Sequence, residues 1–158
     1  MADVTVRLAS AADADTVGRL LREFNEEFDA GGPTAAELAR RFRGLLSRED
    51  VCVVLAESGS GCVGFAFLTL RPTPYYDGSF AQLEELYVVP GLRDTGIGTL
   101  VLRTAIDTVR SRGAFEMHIN VDEIDVDTRR FYERHGFTNI EEGQDHRMLC
   151  YVQELGGS

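Results

Sequence analysis

The run ELYVVPGLRDTGIGTLVLRTAI, residues 85–106, constrains the fold of this chain more than any other stretch. It begins as an apolar strand that ends at Pro90, passes through a turn with Gly96 and Gly98, and continues with apolar residues at helical spacing. The glycines allow a sharp strand-to-helix turn. They also leave the N–H groups of a helix N-terminus bare, and an anion such as a phosphate can bind there. Arg93 adds a fork of donors beside them.

Two known nucleotide-binding loops do not fit this turn. A Walker loop needs a Lys directly after its last glycine, and Thr99 follows Gly98. A Rossmann fingerprint needs a third glycine at the position that Val101 occupies. The turn is therefore either a tight connection or an anion site of another kind.

The rest of the chain predicts a mixed sheet with helices on its faces. Hydrophobic periodicity predicts helices over 12–28, 35–46, 99–112 and 126–135, and strands over 5–8, 51–56, 63–70, 80–89, 115–121, 137–140 and 148–152. Thr34 and Glu37 predict a capping box at the start of the second helix. The order is β-α-α-β-β-β-α-β-α-β-β, an α/β or α+β class with about seven strands and four helices. Three successive strands in the first half exclude a doubly wound Rossmann pattern.

Composition and charge narrow the class of function. A length of 158 residues favours one domain, and a formal net charge of −10 argues against nucleic-acid binding. The chain has neither an apolar run near the roughly 20 residues that cross a bilayer nor a secretory signal, so no membrane partner is expected. Cys52, Cys62 and Cys150 are too scattered for a disulfide framework or a metal site. They predict a reducing, cytoplasmic location.

Two motifs together resemble the signatures of the GNAT family of N-acetyltransferases. In the first, a strand ends in Val-x-Pro, and an Arg is followed by Gly96 and Gly98 at the family's spacing. The second, RRFYERHGF at residues 129–137, resembles the family's helix that carries a tyrosine and ends in Gly-Phe. The resemblance covers residues 5–152. It implies a single acetyltransferase domain over 1–158, a GNAT-like, mostly antiparallel sheet, and acetyl-coenzyme A as co-substrate.

The resemblance also implies where acetyl-coenzyme A binds, next to the splay of the fourth and fifth strands. The pantetheine arm would pair as an added strand with the backbone of Leu86, Tyr87 and Val88. The pyrophosphate would lie on the turn formed by Arg93, Asp94, Thr95, Gly96, Ile97, Gly98 and Thr99. Asp125 stands where the family commonly has an Asn that holds the arm, and Asp94 stands where many members have Gly. At Asp125 an aspartate can accept but not donate a hydrogen bond. At Asp94 a carboxylate beside a pyrophosphate is unfavourable unless it turns outward.

The catalytic groups implied by the resemblance are a tyrosine, a glutamate and a backbone amide. Tyr132 matches the family's general acid for the leaving thiolate, and the N–H of Val88 matches the donor to the developing oxyanion. Glu84 matches the glutamate that acts through a water in polyamine-acetylating relatives. Glu84 and Glu85 are adjacent on a strand and are expected on opposite faces, although a bulge would change this. His118, on the fifth strand, is expected to pack rather than to catalyse.

The acceptor is expected to be a primary amine. Glu26, Glu27 and Tyr76 lie in segments where the family builds its acceptor site. Acids and an aromatic ring suit a small cationic amine, such as a polyamine or an amino-acid derivative. A solvated helix face explains the acids equally well. The alternatives are a protein N-terminus or lysine as acceptor, and an acyl-coenzyme A sensor without turnover. Exposed strand edges are compatible with a homodimer.

Overall fold

The structure, a computed structural model, describes residues 3–157. The chain divides into two compact units, Met1–Ile119 and Asn120–Ser158. Each unit is a compact set of contacts by itself. The single domain expected over 1–158 stays a prediction.

The first unit is a five-stranded sheet with its helices packed on it. Its elements in chain order are β1 (Thr5–Leu8), α1 (Ala14–Glu27), α2 (Ala35–Leu45), β2 (Val51–Ser58), β3 (Gly61–Pro72), β4 (Ser79–Val88), α3 (Ile97–Ser111) and β5 (Ala114–Ile119). The strands lie in the order β1-β2-β3-β4-β5. Neighbouring strands are antiparallel except β4 and β5, which are parallel because α3 carries the chain back along the sheet.

Strand alternation sorts the buried residues of the sheet into two sets. One set packs against the apolar stripes of α1 and α2, and this side of the sheet is called the α1–α2 face: Val53, Leu55, Phe65 and Tyr87. Phe67 lies on the same face, with its ring 5.3 Å from the ring of Phe42 in α2. The alternate set is equally buried and includes Val54, Ala66 and Leu83. Because α3 packs against β2, β3 and β4, it covers this second side.

The predicted helices are confirmed with small shifts at their ends. The capping box forms as expected: Glu37 donates its backbone N–H to Thr34 Oγ1 at 3.2 Å, and Thr34 donates its own to the Glu37 carboxylate at 3.0 Å. α3 begins at Ile97, earlier than expected, because Gly96 already serves as its N-cap with a left-handed φ of 91°.

The second unit contains α4 (Val126–Arg134), and the two strands predicted at its end are wrong. Within residues 120–157 the structure has no strand, so the sheet has five strands rather than seven. The two segments meet through one backbone bond, Met148 N to Asn139 O, without a continuing ladder. Leu149 and Tyr151 are 67% and 90% exposed, so little apolar burial stabilises a pairing in this segment. The apolar composition alone suggested strands.

Replacing Gly18 is expected to destabilise the packing of α1 on α2. A Cβ at this position would lie 2.7 Å from the backbone nitrogen of Ala39 and 2.9 Å from the carbonyl oxygen of Ala35. Because both atoms are backbone, the helices must separate, and Gly18→Ala is expected to cost about 1–3 kcal/mol in urea unfolding. The control is Gly44→Ala in α2, where a Cβ meets nothing within 4 Å. An equal midpoint for the two variants would contradict the close approach.

The helices of residues 3–157 include none that is long and apolar enough to span a bilayer.

Candidate functional site

The central feature of the candidate site is the edge of β4 that β5 leaves uncovered. β5 pairs with β4 only from Ser79 to Leu83, whereas β4 continues to Val88. In an antiparallel ladder, alternate residues direct their N–H and C=O groups to the neighbouring strand. The bond from Val89 N to Val63 O, at 2.9 Å, fixes this alternation between β3 and β4. The backbone groups of Leu86 and Val88 therefore face the uncovered edge, where an extended ligand could pair as an added strand.

A β-bulge in β4 brings two carboxylates to one face of the sheet. Leu83 pairs with Leu68 and Glu85 pairs with Phe67, so Glu84 is the extra residue between them. Glu85 therefore shares the α1–α2 face with Phe67. The expectation that Glu84 and Glu85 point to opposite faces is wrong, because the bulge interrupts the alternation.

The side chain of Glu84 confirms its position on the α1–α2 face. Its Oε1 accepts a hydrogen bond of 3.1 Å from the hydroxyl of Thr69. Thr69 follows Phe67 by two residues on β3, so the two side chains share a face. Glu84 is exposed, whereas Glu85 is half-buried.

The environment of Glu85 makes it a proton acceptor suited to neutral pH. Loss of hydration on burial and, as the smaller cause, the nearby charge of Glu84 together raise the pKa of Glu85 to about 7. A carboxyl group with this pKa is substantially ionised at neutral pH, yet more basic than an ordinary glutamate. Such a group can remove a proton from an ammonium ion before it acts as a nucleophile.

The loop between β4 and α3 forms a second part of the site. Its backbone enters the left-handed region at Asp94, with φ 60°, and again at Gly96. Asp94 therefore occupies a conformation that favours glycine, and aspartate is among the few other residues that tolerate it. Thr95 Oγ1 donates to the carbonyl of Leu92 at 2.5 Å and holds the loop against its preceding turn.

The N-terminus of α3 opens onto a cavity of about 480 Å³. The cavity is lined by Thr95, Gly96, Ile97 and Thr99, four of the residues expected to hold a pyrophosphate. The first N–H groups of a helix have no partner within the helix, and they carry the positive end of its dipole. This end of α3 is therefore chemically suited to bind an anionic group.

The side chain of Arg93 is turned away from this cavity. Its two terminal nitrogens pair with the carboxylate of Glu27 at 2.6 and 2.7 Å, and its Nε donates to the carbonyl of Val88 at 2.9 Å. The guanidinium also lies 5.6 Å from the ring centre of Tyr87. The hydrogen bonds that Arg93 donates to the Glu27 carboxylate raise the pKa of Arg93. The fork expected to hold the pyrophosphate is thus used to tie the end of α1 to the end of β4.

The acids expected to bind a cationic acceptor already have partners. Glu26 pairs with Arg22 one helical turn before it, at 2.8 Å, and Glu27 pairs with Arg93. Tyr76 packs beside the α1–α2 face, because its ring centre lies 5.6 Å from that of Phe80 on this face. Both carboxylates are therefore ion-paired, and their contact with an acceptor stays a prediction.

Tyr132 and Asp125 lie in the second unit, on and before α4. Tyr132 is 6% exposed, and its ring packs against the rings of Phe131 and Phe137 at 5.2 and 5.4 Å. Asp125 is the N-cap of α4, because its carboxylate accepts the N–H of Thr128 at 3.3 Å. The carboxylate at this position therefore has a local structural use.

The described residues contain no group of three or more His, Cys, Asp or Glu side chains that could hold a metal ion.

Comparison with known proteins identifies the class to which these features belong. The profile of the acetyltransferase (GNAT) family matches residues 17–137. A solved structure of a protein assigned as an acetyltransferase from Arthrobacter sp. FB24 is 46% identical, with a TM-score of 0.88 over 96% of each chain. The aminoglycoside N(6')-acetyltransferase type 1 of Klebsiella aerogenes is 28% identical over 66% of this chain and 70% of its own length. At 16% identity, an aminoglycoside N-acetyltransferase solved with CoA shares the fold, with a TM-score of 0.75 over 95% of this chain and 97% of its own.

Proposed function

The chain belongs to the acetyltransferase (GNAT) family, whose members use acetyl-coenzyme A, and we propose that it transfers the acetyl group of acetyl-coenzyme A directly to a primary amine of a small molecule. The observation that carries this proposal is the uncovered edge of β4, which leads into the bare N-terminus of α3. On the α1–α2 face of the sheet, β4 presents Glu84 and Glu85.

The residues of this site fit the co-substrate in both of its parts. The uncovered edge spans Glu84 to Val88, about 17 Å of extended strand, along which the amides of the pantetheine arm can pair. The pyrophosphate is held by the loop and first helical turn from Asp94 to Thr99, through backbone N–H groups and the hydroxyl of Thr99. Arg93 orders this loop from behind and does not bind the phosphates. Asp125 supports α4, which its carboxylate caps.

The carboxylates of β4 prepare the acceptor for attack. Glu85 accepts a proton from the acceptor's ammonium group and passes it to solvent, and Glu84 keeps the local potential negative. The amine nitrogen then forms the amide bond to the acetyl carbon while the thioester C–S bond breaks. The N–H of Val88, which faces the uncovered edge, stabilises the negative charge that develops on the acyl oxygen.

Tyr132 completes the proton balance of the reaction. Its phenol gives a proton to the leaving thiolate. The acceptor nitrogen loses a second proton when the amide forms, and this proton replaces the one that Tyr132 has given. Overall, an ammonium and a thioester become an amide, a thiol and one proton released to solvent.

The test of this function is thiol release from acetyl-coenzyme A against a panel of primary amines, with binding of acetyl-coenzyme A measured separately by calorimetry. Release with one class of amine supports the proposed transferase. Binding without release from any small amine or from peptides with free N-termini and lysines would favour a sensor. Release only with peptides would move the acceptor to a protein. Failure to bind acetyl-coenzyme A would overturn the assignment of the β4 edge and the α3 N-terminus.

Substitution of Asp94 is expected to tighten acetyl-coenzyme A binding. Asp94 belongs to the loop proposed to hold the pyrophosphate, and its backbone is left-handed, with φ 60°. Asp94→Asn removes the charge while keeping a residue that tolerates this conformation, and it should lower the dissociation constant about three-fold to ten-fold. Asp94→Gly should do so at least as strongly. The control is Asp107→Asn in α3, outside the loop, which should leave the constant unchanged. Weaker binding in Asp94→Asn would show that the carboxylate assists the loop.

A further inference from the structure

The α1–α2 face carries a cationic and aromatic cluster that the proposed chemistry does not use. On β3, β4 and β5 it consists of Arg71, Phe80 and His118, here called the platform. Arg71 pairs with Phe80 across the ladder, and its guanidinium carbon lies 5.3 Å from the Phe80 ring centre. The imidazole of His118 lies 5.1 Å from the same ring and contacts Arg71 Nη2 through Nδ1 at 3.0 Å.

The contact between Arg71 and His118 fixes the orientation of both groups. A guanidinium can only donate hydrogen bonds, so His118 Nδ1 accepts, and the imidazole proton is on Nε2. Nε2 in turn lies 3.4 Å from the carboxylate of Glu116. His118 therefore separates Arg71 from Glu116, and within residues 3–157 no carboxylate lies within 4.0 Å of the Arg71 guanidinium. Stacking on Phe80 holds the Arg71 guanidinium in place, and most of its N–H donors remain available.

The position of Arg71 relates it to the proposed catalytic carboxylates. Arg71 follows Thr69, the partner of Glu84, by two residues on β3, which is about 7 Å of strand. It follows Phe67, the residue opposite Glu85, by four residues, which is about 13 Å. All these side chains lie on the α1–α2 face. An acceptor whose amine reaches the carboxylates can therefore place a second group against Arg71.

We propose that Arg71, stacked on Phe80 and held by His118, binds an anionic group of the acceptor, so that the substrate carries a primary amine and a carboxylate or phosphate several bonds apart. A planar guanidinium with open donors binds such a group through two parallel hydrogen bonds. This inference rests on the proposed function and narrows its acceptor from amines in general to zwitterionic ones. It disfavours polyamines, whose second charge would meet Arg71, and their preferred turnover would overturn it.

The first test compares acceptors that differ only in the distal group. Thiol release from acetyl-coenzyme A is measured with 6-aminohexanoate and 6-aminohexanamide, with lysine and lysinamide, and with the corresponding amino-alkyl phosphate and alcohol. The wild-type protein should prefer at least one anionic member over its neutral partner by about ten-fold or more in kcat/KM. In Arg71→Gln this preference should fall to about one, and Arg71→Lys should recover only part of it. The matched control is Arg110→Gln in α3, which makes the same change in net charge.

A second measurement does not depend on acetyl transfer. Hexanoate and propyl phosphate, which carry no amine, are titrated while the imidazole signals of His118 are followed by NMR, with His118→Gln for assignment. We expect a saturable shift in the wild-type protein and in Arg110→Gln, with no such shift in Arg71→Gln or with hexanamide. Absence of a saturable shift with both anions would overturn the proposal even if acetyl transfer is found. If none of the amine acceptors of the first test, neutral or anionic, is acetylated but the NMR shift appears, the proposed function fails and the anion site stands.

Discussion

Glu85→Gln is expected to lower kcat/KM for the acceptor by about 100-fold, with binding of acetyl-coenzyme A unchanged. The substitution keeps the size of the side chain and removes its ability to accept a proton. A positioned general base typically contributes 100-fold to 10,000-fold, so a reduction near the lower end is about what a half-buried carboxylate should give. Initial rates of thiol release at pH 7 and calorimetric binding of acetyl-coenzyme A would separate the loss of chemistry from the loss of the co-substrate site.

The pH dependence of the reaction separates Glu85 from its neighbour. Because the pKa of Glu85 is raised to about 7, kcat/KM should increase with pH up to about 7 and level off above it. Glu84→Gln removes the nearby charge that helps to raise this pKa. Its pH profile should therefore keep this increase of kcat/KM with pH, here called the limb, but shift it to lower pH. Glu85→Gln should lose the limb. A lost limb in Glu84→Gln, with an intact one in Glu85→Gln, would assign the base to Glu84 instead.

Glu85→Gln should also stabilise the protein at alkaline pH. Glu85 has a folded-state pKa of about 7 against an ordinary value of 4.5, so between these values the folded state binds more protons than the unfolded state. Stability from this group is therefore present at low pH and is lost as the pH rises through about 7. Relative to the wild-type protein, Glu85→Gln should gain in Tm at pH 8, and the gain should shrink towards pH 5. A gain at pH 8 together with the loss of activity is the pattern of a strained functional group.

The bulge shows why the sequence located β4, the strand of the proposed catalytic carboxylates, but not the face to which each carboxylate points. Glu84 and Glu85 are adjacent, and simple alternation separates them. The bulge arises from the register between β3 and β4, in which Phe67 and Leu68 pair with Glu85 and Leu83. Register depends on contacts distant in sequence, and a window around Glu84 does not contain them. The strand itself was predictable, because its apolar run and Pro90 are local.

The same contrast between local features and contacts distant in sequence applies to the other residues of the site. The turn at Gly96 was predictable because a left-handed N-cap is a local requirement that glycine meets. The partner of Arg93 was not, since Glu27 lies 66 residues away and only the packing of α1 beside β4 brings them together. The platform escaped prediction for this reason too. Arg71 and His118 are 47 residues apart, and nothing near either residue in the sequence indicates that they meet.

Tyr132→Phe is expected to lower kcat about 100-fold, with little change in the KM for acetyl-coenzyme A. The substitution removes only the hydroxyl, and the ring can keep its packing against Phe131 and Phe137. A general acid that protonates the leaving thiolate contributes to the transition state and not to binding, so its loss appears in kcat. Initial rates of thiol release at varied acetyl-coenzyme A concentration measure kcat and KM separately.

The leaving group offers a sharper readout than the rate alone. An acetyl thioester of a more acidic thiol needs less help from an acid, so Tyr132→Phe should lose less activity with it than with acetyl-coenzyme A. Tyr151→Phe, in the same unit and 90% exposed, is the matched control and should behave as wild type. If Tyr132→Phe loses equal activity with both thioesters, and its Tm falls, the hydroxyl supports the structure of α4 and the thiolate leaves without an acid from this side chain.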